Sequence, residues 1–256
     1  MVNKMLLKKK FLLVIIALLL LIIATQWKIM ISVRDNRQEN ASALTTIVDE
    51  IKSKSPLKAK EAYSIADVPH IMQRPELDRG CEVTSLAMLL QFYGFDVTKM
   101  SLADEIDKVP FEEGNYRGDM REGFVGNMET FNESGIGVYI DPIEKLAKKY
   151  AKGKVISLEG KDISSIYKQV AKGRPVWVIT NAEFKKLPES AFTTWNTKNG
   201  ELKITYSMHS VVITGYDKDY VYVNDPLAQL PNTKLAKKDF EEAWVQMGSQ
   251  ALTIKK

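Results

Sequence analysis

Tyr206-Ser207-Met208-His209-Ser210-Val211-Val212-Ile213-Thr214-Gly215-Tyr216 runs into Asp217-Lys218-Asp219 and then into Tyr220-Val221-Tyr222-Val223-Asn224-Asp225-Pro226. Valine, isoleucine, threonine and tyrosine dominate both runs, and polar residues separate them, so the segment reads as a β-hairpin. If Tyr216 pairs with Tyr220 across a three-residue loop, Asp225 opposes Val211, and His209 lies a little further along the same strand. Strand side chains alternate between faces, so His209 and Asp225 then share a face as diagonal neighbours. A two-residue turn puts them on opposite faces. A carboxylate beside an imidazole fixes the ring's tautomer and orientation, the relation required by a histidine base. For Asp225 alone the plain alternative is an Asp-Pro turn. Pro226 ends the pairing just beyond the acid.

Upstream the period changes. Cys81–Tyr93 carries Val83, Leu86, Ala87, Leu90 and Phe92 at helical spacing and is closed by Gly94. Ser101–Lys108, Pro142–Tyr150, Ile163–Ala171 and Asp239–Val245 read as further helices, and Val68–Gln73 as a short extended piece. Pro175–Thr180, Leu202–Tyr216 and Tyr220–Asn224 read as strands. Helices followed by antiparallel strands make an α+β layout. Glu112–Gly137, with Gly114, Gly118, Gly123 and Gly126, is either a loop framing a groove or an ordinary connector.

The single cysteine, Cys81, follows Gly80 at the expected start of a helix. Unpaired backbone N–H groups and the positive dipole end there favour a thiolate, the attacking form of the residue. A lone cysteine is equally a small buried hydrophobe. Gln73, eight residues earlier, is a candidate donor to a tetrahedral oxyanion together with the Cys81 backbone N–H, or else a surface glutamine. His70 sits on the extended piece and reads as a structural or surface histidine. Two histidines and one cysteine match no zinc-site spacing, so neither metal nor cofactor is implied. Arg117-Gly118-Asp119 spells an adhesion tripeptide, a match too short to weigh much. Trp177, Trp195 and Trp244 read as core or groove wall.

The 256-residue chain is 45% hydrophobic and 27% charged, proportions of a globular protein. Its net charge of +4 is carried by Lys4, Lys8, Lys9 and Lys10, leaving no basic patch that points to nucleic acid. These lysines precede the unbroken apolar run Phe11–Ala24, extended to Trp27 before Lys28. A basic flank before such a run reads as an export signal whose N-terminus stays inside. Ala41-Ser42-Ala43 lies too far downstream for ordinary cleavage, and no cysteine follows at lipoprotein spacing. Residues 1–27 therefore read as an uncleaved signal-anchor, 28–62 as a polar stalk and 63–256 as the globular domain, held extracytoplasmically. One cysteine permits no intramolecular disulfide.

Val68-Pro69-His70-Ile71-Met72-Gln73-Arg74-Pro75-Glu76-Leu77-Asp78-Arg79-Gly80-Cys81-Glu82-Val83-Thr84-Ser85-Leu86-Ala87-Met88-Leu89-Leu90 resembles the nucleophile segment of stand-alone relatives of cysteine peptidase family 39. His209–Asp217 and Val223–Pro226 resemble its base and acid segments, and the resemblance spans roughly Ala66–Val245. It implies a papain-like fold with Cys81 as nucleophile, His209 as base, Asp225 as orienter and Gln73 as oxyanion donor. Glu82 departs from the pattern, since many members carry glycine there, and a carboxylate beside the thiol either raises its pKa or shapes the first substrate pocket. Leader-trimming members precede a transporter in the same chain, whereas this chain ends at Lys256, so substrate class does not carry over. The expectation is a monomeric thiol hydrolase acting on a peptide or protein. The other class is a non-catalytic surface binding module. Amidase or acyltransferase chemistry on cell-wall peptides uses the same residues.

Overall fold

The computed structural model describes residues 25–28, 30 and 61–256. Most of the expected anchor (1–27) and stalk (28–62) lies outside the described residues. Among the described residues no helix is long and apolar enough to cross a membrane.

The chain runs through β1 (Tyr63–Ser64), α1 (Cys81–Phe92) and α2 (Lys99–Glu105), then the short strands β2 (Lys108–Val109), β3 (Glu112–Glu113), β4 (Tyr116–Arg117) and β5 (Phe124–Val125). It continues through α3 (Ile140–Ala151), β6 (Val155–Ser157), α4 (Ile163–Val170), β7 (Val176–Asn181), β8 (Thr193–Thr197) and β9 (Gly200–Ile204). The last elements are β10 (Met208–Tyr216), β11 (Tyr220–Asn224), β12 (Thr233–Ala236), α5 (Lys237–Gln246) and β13 (Ala251–Ile254). The principal sheet is antiparallel in the order β12-β11-β10-β7-β13-β6, with β1 pairing onto β10. A smaller sheet, β3-β4-β8-β9, carries Trp195 in its own apolar cluster.

Alternation explains how the principal sheet is covered on both faces. On β7, Trp177 and Ile179 enter one cluster with Val83, Leu86 and Leu90 of α1 and Ile143 and Leu146 of α3. Val176 and Val178, on the other face, join Ile166 and Val170 of α4 and Phe240 and Trp244 of α5. A strand buried on both sides reads as a continuous apolar run, as Val176–Ile179 does. Helix α1 is buried from Cys81 through Leu90, all round its circumference, which marks a core helix rather than a surface one. Helix α3 has an apolar stripe inside, Asp141 in its first turn and Lys148 and Lys149 in its last, matching the helix dipole.

The expected helices are present within a few residues of their bounds. The expected strand Leu202–Tyr216 is not one strand: Thr205–Ser207 break it, and its first part pairs with β8 as a separate hairpin. Val155–Ser157, Thr193–Thr197, Thr233–Ala236 and Ala251–Ile254 form strands too short for period to reveal.

The decisive hairpin also departs from expectation. At the turn Tyr216 faces Val221, not Tyr220. That register, continued, would set Asp225 opposite Val212 and His209 on the wrong face. A bulge at Thr214, between Ile213 and Gly215, corrects it, because Ile213 faces Val223 and Val212 faces Asn224. Ile65 pairs the bulged carbonyl, its N–H lying 2.8 Å from Thr214 O.

Candidate active site

Cys81 is the first residue of α1, and Gly80 leads into it. A Cβ on Gly80 would lie 2.5 Å from Leu77 Cβ, so only glycine lets the preceding turn close on the helix end. Ser85 Oγ donates to Ser210 O (3.0 Å) and Trp177 Nε1 to Glu82 O (3.0 Å), tying the first turn of α1 to β10 and β7.

On β10, His209 Nε2 lies 2.7 Å from Asp225 Oδ1, and both residues are buried. The acid is held by its own turn, with Leu227 N–H donating to Asp225 Oδ1 (2.8 Å). The strip Val68–Gln73 clamps the same turn from outside. Asn224 Nδ2 donates to Val68 O and Pro69 O (3.0 and 2.9 Å), and Gln73 N–H donates to Pro226 O (2.9 Å). His70 Nε2 meets Asp225 O at 3.1 Å, so the histidine discounted in the sequence lies against the acid's backbone. Burial works to raise the Asp225 carboxyl, but the His209 hydrogen bond and charge outweigh it and hold the group below its ordinary value.

Two expected contacts take another form. The Cys81 thiol donates to Glu82 Oε2 at 3.2 Å, and its hydrogen bond is not to His209. Burial, then the adjacent Glu82 charge, pushes the thiol well above its ordinary value, with the Ser210 backbone acting in the opposite direction. The helix-terminus argument anticipates the reverse, and desolvation overrides it here. Gln73 is buried, but its Nε2 donates to Leu77 O (3.1 Å) and Asp78 O (2.9 Å), and its Oε1 has no partner. Both amide protons therefore brace the turn before α1 rather than face a substrate oxygen.

Glu82 is 1% exposed. Its Oε1 accepts from Val138 N–H at 3.1 Å, and burial raises its carboxyl to about 7. The end of the Glu112–Gly137 segment thus packs on the residue beside the thiol. A Cβ on Gly137 would lie 2.4 Å from Glu82 Oε1 and 2.2 Å from Met208 Cε. Gly137→Ala is expected to destabilise the fold by about 1–3 kcal/mol through overpacking, read as a lowered midpoint in urea. Elsewhere in this segment Asp119 is buried, and Arg121, Thr197 and Asn199 hold its carboxylate. The adhesion tripeptide's acid is thus used internally. Among the described residues no group of three or more His, Cys, Asp or Glu is placed to hold a metal ion.

The profile of the Peptidase_C39 like family matches residues 65–252. The chain belongs to that family. Within it, YvpB of Bacillus subtilis (strain 168), an uncharacterized protein, is 52% identical over 186 residues, 72% of each chain. A crystal structure of a candidate C39-like peptidase from Bacillus anthracis is 54% identical and superposes with a TM-score of 0.76, covering 77% of this chain and 98% of that one. The α+β fold with its antiparallel sheet is the fold of this C39-like family. Peptidase-type chemistry is the family-level expectation for the chain.

Proposed function

We propose that this protein is a membrane-anchored, extracytoplasmic cysteine peptidase that cleaves peptide bonds through a Cys81 acyl-enzyme. The observation that carries the reading is the buried 2.7 Å His209–Asp225 pair, whose histidine lies on the strand that the hydrogen bond from Ser85 to Ser210 ties to α1, the helix opened by the chain's one cysteine. With Nε2–H donating to Asp225, Nδ1 is the basic ring nitrogen. It takes the thiol proton as sulfur attacks the carbonyl, and the imidazolium then protonates the departing amine. Water, deprotonated by the same nitrogen, releases the acyl group from sulfur. The Cys81 backbone N–H stands at a helix start, where it has no intrahelical partner, and supplies one oxyanion donor. Gln73 joins it only by giving up one of its two carbonyl partners.

A binding module is the second reading, favoured by the raised thiol and by the engaged Gln73 amide. A thiol-directed acyl probe separates the two. Labelling at Cys81 is expected in the native protein and slower by about a hundredfold or more in His209→Ala. Labelling that needs denaturation, or that ignores His209, would leave only the binding module.

The anchoring reading rests on Lys4, Lys8, Lys9 and Lys10 before Phe11–Trp27. Mass spectrometry of the native protein is expected to find residues 1–27 retained in the membrane fraction. A mature N-terminus between Ala24 and Ala43 would make the protein secreted instead.

A further inference from the structure

The strongest feature outside the proposed triad is the carboxyl next to the nucleophile. Glu82 is as buried as the core around it, yet it bonds the one group whose protonation state decides reactivity. Its two oxygens are separately committed, Oε2 to the Cys81 thiol and Oε1 to the Val138 N–H. Trp177 fixes its backbone carbonyl, and Gly137 leaves room for the side chain. A buried carboxyl held from both ends is costly unless its partners need it.

We propose that Glu82 is a positioning residue for the nucleophile: its carboxylate holds the Cys81 proton in competition with His209 and so sets the pH at which the sulfur becomes reactive. The proposal rests on the reading of Cys81 as nucleophile. The proton balance is simple. At rest one proton lies between Sγ and Oε2, as thiol and carboxylate. In the reactive form the same proton is on Oε2, and the neutral acid donates to the thiolate, or His209 Nδ1 has taken it. When Glu82 is ionised, a thiolate beside it would set two negative charges against each other in a desolvated site, so the sulfur keeps its proton.

The titratable groups facing the pair are few. Cys81 and Glu82 lie on α1, and His209 on β10 acts on Glu82 with its charge. Asp225, after β11, adds its negative charge at the sulfur. Val138 and Ser210 present neutral backbone, and Trp177 a neutral indole. Coupled groups of this kind lose their protons in two macroscopic steps that belong to the pair. With burial raising Glu82 to about 7, the first step falls near neutrality and the second well above it.

The test uses the full-length chain in detergent and the pH dependence of alkylation by iodoacetamide. The sequence has one cysteine, so the modified site is unambiguous. Wild type is expected to react in two steps, with a plateau above about pH 7. Glu82→Gln keeps the size and an acceptor for Val138 N–H but cannot take the proton. It is expected to lose the step that Glu82 contributes near pH 7 and to react at least about tenfold faster at pH 7.5, a tenfold change being one pKa unit. A purely packing role for Glu82 would leave the step near pH 7 in place. If the Glu82→Gln profile overlays wild type while His209→Ala slows the reaction, Glu82 does not hold the proton and the Cys–His reading stands. If neither variant changes the rate, both readings fall. A slower Glu82→Gln overturns the proposal as well. Should Glu82→Gln fail to fold, the wild-type profile decides: a single step without a break near pH 7 overturns the proposal, and two steps retained in His209→Ala support it.

Discussion

Cys81→Ala is expected to abolish hydrolysis, lowering turnover about a thousandfold or more, while the protein keeps its fold. The loss is large because covalent catalysis has no partial substitute: without sulfur no acyl-enzyme forms. The stability cost is about 1–3 kcal/mol, set less by the small volume lost than by the buried Glu82 Oε2, which loses its donor. Cys81→Ser should be equally inactive and better tolerated, since its hydroxyl can donate to Glu82 Oε2 in place of the thiol. Activity on a peptide mixture together with a thermal melt checks both. Full activity in Cys81→Ser would remove Cys81 from the mechanism, and with it the peptidase reading.

Asp225→Asn should lower turnover by about 10²–10⁴-fold with little change in substrate binding. The amide presents either a weaker acceptor or an N–H to His209 Nε2. In the second case the ring is driven into the tautomer whose proton sits on the wrong nitrogen. The signature is a fall in kcat with KM largely unchanged, which loss of a merely structural acid would not give. The pH dependence has a defined sign. Folding holds the Asp225 carboxyl below its ordinary value of 3.8. Its stabilising contribution is therefore complete above that value and is lost only as pH falls through the lower folded value. An acid limb near neutrality in the rate profile would have to come from another group, and Glu82, whose carboxyl burial raises to about 7, is the buried carboxyl placed to supply it.

Much of the fold was legible because period survives wherever an element is long. The start of α1 at Cys81, the strand that carries His209 and the return to Asn224 all follow from apolar spacing and punctuation. The short strands were not legible. Val155–Ser157 and Ala251–Ile254 exist because they pair with one another, and Ala251–Ile254 also with β7, contacts between residues far apart in the chain. The break at Thr205–Ser207 was hidden inside a run of uniform β propensity, because propensity records what fits a half-buried pleat, not where a chain turns.

Four site residues were named from sequence, and tertiary structure sorted them. Residue type and spacing determined that a histidine and an acid sit on one hairpin and that the cysteine opens a helix. Whether the first two meet was decided by the bulge at Thr214. The turn alone gives the register that separates them, and an extra residue in one strand restores their shared face. The thiol's partner, the two carbonyls that take the Gln73 amide and the placement of His70 against Asp225 depend on groups brought together from distant segments. The sequence by itself determined which chemistry was present on which element. Only the tertiary structure decided who holds each proton, because hydrogen-bond partners and desolvation are properties of packed neighbours and not of the order of residues along the chain.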